Sequence, residues 1–245
     1  MNLFFSALRF LTIIPLGKPD ISEEETGRGT LFFPLVGGVI GLLSAAAYGL
    51  ILYLGFGVDF AALAAVACLA IISGGAHLDG LADTFDAWAS DKDRAGCLRI
   101  MRESRVGAMG VLALVIVVLS KVALVSGLSP QHIFVGLLVS GILSRWAQVV
   151  VVFAFSYARD NGKAGVFFRA ANLRRFVLSS GIALGLALLS CGAMGTVLFV
   201  VAAAAAWGLA KMFSRRFGGV TGDNIGAVSE ITELATLAGY TLLTQ

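Results

Sequence analysis

Long uncharged runs separated by short charged segments set the pattern of this chain. Residues 31–56 and 60–78 carry no Asp, Glu, Lys or Arg except at their borders. Residues 106–128 carry only Lys121, and residues 132–157 only Arg145. Residues 176–210 are uncharged but too long for one crossing. The Cys191-Gly192-Ala193-Met194-Gly195 segment inside them suits a tight turn between two helices. A bilayer span needs about 20 residues at a rise of about 1.5 Å each. The pattern therefore predicts an all-α fold, a polytopic integral membrane helical bundle with six transmembrane helices. Residues 225–243 are a candidate seventh, weakened by Glu230 and Glu233. Residues 1–17 are apolar but short, contain Arg9, and read as an interfacial helix ending near Pro15. They lack the basic start and small-residue cleavage site of a signal peptide. The whole of 1–245 reads as a single transmembrane catalytic domain.

Composition agrees with lipid as the main solvent. The chain has 245 residues, 58% hydrophobic and 13% charged, and a mean hydropathy of +0.90. A soluble domain carries about 25% charge, so too few charges remain to coat a water-facing surface. A disordered chain, an ordinary soluble enzyme and a nucleic-acid-binding domain are excluded. The net charge of +3 has a topological explanation. Lys and Arg crowd residues 91–105, 159–175 and 211–216, while the alternate connections have none. The positive-inside rule then puts segments 79–105, 159–175 and 211–224 on the cytoplasmic side. Lys121 falls near the far end of its span and is expected to snorkel outward. Cys68, Cys97 and Cys191 form no CxxC and read as small core residues. Gly37-x3-Gly41 and Gly181-x3-Gly185 allow close helix approach. That approach fits packing within the chain, and a homo-oligomer face is left open.

The candidate chemistry lies at the borders of the apolar runs. Asp79, Asp83 and Asp86, at i, i+4 and i+7, share one helix face in Gly74-Gly75-Ala76-His77-Leu78-Asp79-Gly80-Leu81-Ala82-Asp83-Thr84-Phe85-Asp86. Three carboxylates so close repel one another, and placing them at the end of an apolar run is costly. A hard divalent cation bound by oxygen relieves both problems, which points to Mg²⁺. A solvated acidic helix end is the plainer alternative. His77 reads either as a base or ligand, or as a structural hydrogen-bonding residue. Near the C-terminus, Gly218-Gly219-Val220-Thr221-Gly222-Asp223 leads into a helix carrying Glu230. Free backbone N–H groups there suit phosphate, and Asp223 and Glu230 read as further metal ligands. Arg99, Arg102 and Arg105 are spaced to share a helix flank, and arginines grip phosphate bidentately. Each of them equally fits a positive-inside anchor. Arg145, within a span, needs an acidic partner or an anionic ligand. Together these groups describe a phosphoryl-transfer site for a diphosphate at one membrane face.

These motifs resemble the cobalamin synthase family, the adenosylcobinamide-GDP ribazoletransferases. The resemblance rests on Phe10-Leu11-Thr12, Phe33-Pro34-Leu35-Val36-Gly37 and the His77-Leu78-Asp79-Gly80-Leu81-Ala82-Asp83 string. It continues through Ile100-Met101-Arg102-x-Ser104-Arg105-x-Gly107, Tyr157-Ala158-Arg159 and Gly218-Gly219-x-Thr221-Gly222-Asp223. It implies a Mg²⁺-dependent enzyme of the bacterial cytoplasmic (inner) membrane with its site facing the cytoplasm. Such enzymes join adenosylcobinamide-GDP to α-ribazole or its 5′-phosphate and release GMP. Carried over residue by residue, it implies metal ligation by Asp79, Asp83, Asp86, Asp223 and Glu230. Asp83, Asp86 or His77 would act as base. Arg102, Glu103, Ser104, Arg105, Arg145, Arg159, Gly219, Thr221 and Gly222 would contact substrate. The chain departs from the family pattern at Ala87, at Glu103, in Gly162-Lys163-Ala164-Gly165 and at Asn224. A CDP-alcohol-type phosphotransferase, a prenyltransferase and a polytopic transporter are the competing readings.

Overall fold

A computed structural model describes residues 3–16, 22–103, 105–160 and 162–245. All regular elements among them are helical, apart from one isolated β-bridge. The chain begins with α1 (Leu3–Leu11) and α2 (Glu23–Arg28), which runs through a 3₁₀ turn into α3 (Phe33–Tyr53). Next come α4 (Val58–Ile72), α5 (Ala76–Ala89), α6 (Arg94–Ile100), α7 (Ala108–Gly127) and α8 (Pro130–Ala154). The last four are α9 (Gly165–Ala170), α10 (Leu173–Cys191), α11 (Ala193–Phe217) and α12 (Gly222–Thr244).

Five helical segments are long and apolar enough to cross a membrane: Glu23–Tyr53, α7, α8, α10 and α11. The protein is a polytopic helical membrane protein. The long 176–210 run divides as its sequence predicts. Gly192 takes a left-handed φ of +59° between the end of α10 and the start of α11. Residues 60–78 do not form one straight helix. Gly74 and Gly75 both have positive φ, and the chain turns by 87° between α4 and α5. If the bent pair counts as one crossing, the spans number six among the described residues. The turn lays α5 over the first turns of α7 and α12.

Helix α12 is not among the five apolar spans. It carries Asp223, Glu230 and Glu233 and sits in the middle of the bundle, packed on α8, α5, α11 and α7. Helix α8 is the other central helix, buried against α3, α12, α10 and α11. The α3–α8 contact needs glycine. A Cβ on Gly37 would meet the Gly141 carbonyl oxygen, and one on Gly41 would meet Leu137 and Leu138. By contrast, a Cβ on Gly181 or Gly185 would meet nothing. The Gly37-x3-Gly41 pair therefore serves packing within the chain.

Two further expectations are corrected here. Helix α6 stops at Ile100, and Met101, Arg102 and Glu103 continue as a turn and bend. Arg99, Arg102 and Arg105 consequently do not share one helix flank. Lys121 does not snorkel; it is 3% exposed and points into the bundle. Its partners there are Glu230 and Glu233.

Candidate active site

The site forms where α5 crosses the start of α12, and small residues permit the crossing. A Cβ on Gly80 would stand 2.7 Å from the Asp223 carbonyl oxygen, and one on Gly226 would stand 3.1 Å from His77 Cα. Asn224 secures the crossing. Its amide nitrogen donates to Thr84 Oγ1 at 3.1 Å, and its Oδ1 accepts from the Thr221 N–H at 2.9 Å. Thr221 Oγ1 in turn accepts the Asn224 N–H, which closes a capping box at the start of α12.

The glycine-rich turn is also tied to the end of α8. Ala158 N–H donates to the Val220 carbonyl and Val220 N–H to the Ser156 carbonyl, both at 2.9 Å. This short parallel bridge brings Tyr157-Ala158-Arg159 beside the Gly218–Asp223 turn. Gly219 makes the approach possible, with a φ of +141° and no room for a Cβ against Ala158. Arg159 Nη2 then reaches Asp223 Oδ2 at 2.7 Å.

Asp79, Asp83 and Asp223 meet in this corner. Asp79 is exposed, while Asp83 and Asp223 are half-buried. Burial, followed by the charges of Asp79, Asp223 and Asp86, pushes the Asp83 carboxyl up to about 7, against the pull of Arg159. Burial likewise raises Asp223, although Arg159 and Thr221 oppose it. The corner is therefore short of positive charge. Asp86 is more committed: its Oδ2 accepts from the Gly107 N–H at 2.6 Å and its Oδ1 from the Gly110 N–H at 2.7 Å. It thereby caps the N-terminus of α7, and a Cβ at Gly107 or Gly110 would collide with it. Each oxygen keeps a second lone pair.

Among the described residues, no three His, Cys, Asp or Glu side chains already stand in a metal-binding group. The donor set nevertheless fits a hard cation. It is all carboxylate oxygen, has no thiolate, and burial together with mutual repulsion has raised one of its members.

A cavity of about 430 Å³ opens beside these carboxylates. Asp79, His77, Gln148, Tyr157, Arg159 and Asp223 line its polar side. Gln148 Nε2 lies 3.1 Å from His77 Nε2 and donates to Ser229 Oγ at 3.0 Å. With that amide donating to Nε2, the neutral imidazole carries its proton on Nδ1. His77 therefore offers the cavity a donor rather than a base. His77 Nδ1 and Arg159 Nε are both buried with no protein partner.

The structure corrects two sequence-derived assignments. Glu230 is not at the carboxylate corner, because its Oε2 accepts from Lys121 Nζ at 2.6 Å inside the bundle. Arg145 does not face substrate. Its Nη1 is bound to Glu233 Oε2 at 2.8 Å and is 1% exposed on the whole residue. Low dielectric makes an unpaired charge there expensive, so the two acids and two bases take one another. Arg102, Glu103 and Arg105 are exposed on the turn before α7. The positive charge of Arg102 is felt at Tyr157. Gly219 and Thr221 lie in the turn before α12, and Gly222, the first residue of α12, lines the cavity. Ser104 lies outside the described residues.

Sequence reading missed Gln148, Ser229, Asn224 and Lys163. Gln148 is a polar side chain inside the apolar helix α8, and that rarity was the available signal.

The fold and site define a polytopic membrane protein with an acidic, arginine-flanked corner where α5 crosses the central helix α12. The whole length of the chain carries a further similarity. Residues 3–241 match the family described as cobalamin-5-phosphate synthase, and the chain belongs to that family of transferases in cobalamin biosynthesis. It is 36% identical over 242 residues to an adenosylcobinamide-GDP ribazoletransferase of Escherichia coli O17:K52:H18, covering 96% of this chain and 98% of that one. A protein of the same description from Alkaliphilus metalliredigens is 34% identical over 246 residues, covering 100% of this chain and 96% of the relative. No solved structure matches. Family membership sets aside the CDP-alcohol, prenyl-transfer and transporter readings.

Proposed function

We propose that the chain transfers the adenosylcobinamide phosphate group from adenosylcobinamide-GDP to α-ribazole or its 5′-phosphate, releasing GMP. The observation that carries this reading is the meeting of Asp79, Asp83 and Asp223 with Arg159 beside a nucleotide-sized cavity. Asp79, Asp86 and Asp223 would hold one or two Mg²⁺ ions, whose positive charge would stabilise the diphosphate as negative charge moves onto GMP. Asp83, half-buried on the same helix face as Asp79, takes the proton of the attacking ribazole hydroxyl. That hydroxyl oxygen bonds to the phosphorus attached to cobinamide. The bond from this phosphorus to the bridging oxygen breaks, and the bridging oxygen leaves on GMP. Arg159 and the His77 Nδ1–H hydrogen-bond substrate oxygens and hold them in line. Arg102 and Arg105, at the exposed rim, steer the incoming anion. The whole chain acts as one catalytic unit in the bacterial inner membrane, with the site toward the basic, cytoplasmic side. It needs lipid and no nucleic acid.

The test is product mass from purified protein, both substrates and Mg²⁺. Formation of cobalamin or its 5′-phosphate, together with GMP, is the expected result. Absence of product where a relative succeeds in parallel sinks the proposal.

Mg²⁺ should also act on stability in a pH-dependent way. The folded chain holds the Asp83 proton more tightly than the unfolded chain does. Metal-free stability from this group is therefore full below the unfolded carboxylate range, and it is lost as pH rises from there through about 7. Adding Mg²⁺ is expected to raise Tm more at pH 8 than at pH 5.5. Thermal unfolding in detergent, with EDTA or Mg²⁺, measures this. An equal shift at both pH values would contradict it.

A further inference from the structure

Opposite its carboxylates, the cavity has an aromatic wall that the phosphoryl-transfer chemistry does not use. Phe10 and Phe167 pack edge-on with centroids 4.5 Å apart, and Phe33 adds a third ring 5.6 Å from Phe167. Leu11 and Val152 complete the apolar lining. Lys163 stands at the exposed mouth and has no carboxylate partner among the described residues. The two unsatisfied buried donors, His77 Nδ1 and Arg159 Nε, belong to residues that line the same cavity. The ligand that fits has an aromatic body without a polar edge, oxygen acceptors and an anionic group.

Building on the reaction proposed above, we propose that this cavity is the seat of α-ribazole 5′-phosphate. Its dimethylbenzimidazole lies against Phe10, Phe33 and Phe167, and its 5′-phosphate lies at Lys163 and Arg159. Size supports this choice. About 430 Å³ is at the lower end of the roughly 300–1,000 Å³ of small-molecule sites. It suits a nucleotide and not a corrin macrocycle. Chemistry separates the ribazole base from the other nucleotide in the reaction. Guanine carries donors and acceptors along its edge, and an apolar wall would leave them unpaired. Dimethylbenzimidazole offers only ring and methyl carbon to that wall. The placement also puts the ribose, which bears the attacking hydroxyl, beside Asp79 and Asp223, which line the cavity, with Asp83 one helix turn beyond Asp79 on the same face. Lys163 falls in the Gly162-Lys163-Ala164-Gly165 segment, where the chain departs from the family pattern.

Equilibrium dialysis of radiolabelled α-ribazole 5′-phosphate against the full-length protein in detergent tests the seat. Phe10→Ala truncates a ring that is 46% exposed, so the fold should survive. Losing one stacking ring is expected to weaken binding about tenfold. Lys163→Gln should weaken the 5′-phosphate by a similar factor and leave α-ribazole itself unaffected. In turnover, both variants should raise KM for the ribazole substrate and leave KM for adenosylcobinamide-GDP unchanged. Unlabelled α-ribazole should displace the label, and GMP should not. Displacement by GMP at similar concentrations, or ribazole Kd and KM unmoved in both variants, would overturn the seat. Wild-type protein that binds the label but yields no cobalamin product would overturn the reaction and leave the seat standing.

Discussion

Asp83→Asn is expected to lower kcat by about 10²- to 10⁴-fold, the usual contribution of a general base. Asn keeps the size and hydrogen-bonding reach of the side chain but cannot accept the proton. The substrate KM values should change little, because Arg159, His77 and the aromatic wall remain. The Tm shift produced by Mg²⁺ should also persist, since Asp79, Asp86 and Asp223 are intact. That combination distinguishes a base from a metal ligand: loss of the Mg²⁺ shift together with activity would reassign Asp83 to the metal. The wild-type pH–rate profile should have an acidic limb from Asp83, moved down from its metal-free position by the charge of the bound Mg²⁺. The residual activity of Asp83→Asn should lack that limb. Stability should move the other way. Without Mg²⁺ at pH 8, the variant removes a charge that Asp79, Asp86 and Asp223 repel, so it should unfold at a higher temperature than wild type. At pH 5.5, where Asp83 is protonated, the difference should shrink. A site that gains stability when its catalytic charge is removed carries strain that function requires.

Much of this architecture is legible in the sequence because lipid imposes a simple rule: long apolar runs become helices. The runs holding α3, α7, α8, α10 and α11 were readable for that reason, and so was the turn at Gly192. The break at Gly74 and Gly75 was not. Two glycines are tolerated within an apolar run, and the 87° bend depends on α5 finding the Gly80 and Gly226 crossing with α12. Such a crossing joins segments far apart in sequence. The same limit explains the site. Spacing alone placed Asp79, Asp83 and Asp86 on one face, since that is local geometry. It could not say that Asp86 would turn to the N–H groups of Gly107 and Gly110. Glu230 looked equivalent to Asp223 because seven residues separate them on one helix. Their roles diverge because α7 presents Lys121 to one, while the loop after α8 presents Arg159 to the other. Charge inside the membrane was readable as a need for a partner, but the partner's identity was a tertiary fact.

Glu233→Ala is expected to destabilise the folded protein by about 3–5 kcal/mol, the cost of breaking a buried ion pair from one side. Glu233 is 1% exposed and holds two cations at once, Lys121 Nζ at 2.7 Å and Arg145 Nη1 at 2.8 Å. It also accepts from Ser144 Oγ at 3.2 Å. Among the described residues, removing it leaves Glu230 as the only carboxylate paired with the two buried cations, and Arg145 with only the Ser144 and Ser229 hydroxyls. The expected result is a large drop in Tm or in monodisperse protein recovered from detergent. The double variant Glu233→Gln with Arg145→Met removes one cation and one anion together. Lys121 then keeps Glu230 at 2.6 Å, so the double should unfold at a higher temperature than Glu233→Ala. Effects that simply add would mean that the two side chains do not share one electrostatic balance. The network also reaches the site. Arg145 contacts Ser229 Oγ at 3.4 Å, Ser229 accepts from Gln148, and Gln148 meets His77. The rotamer of Gln148, and with it the proton on His77 Nδ1, therefore rests on charges buried a turn or two deeper in the bundle. Where the double variant folds, it should retain Mg²⁺ binding and raise KM for the ribazole substrate, because the His77 donor has lost its support.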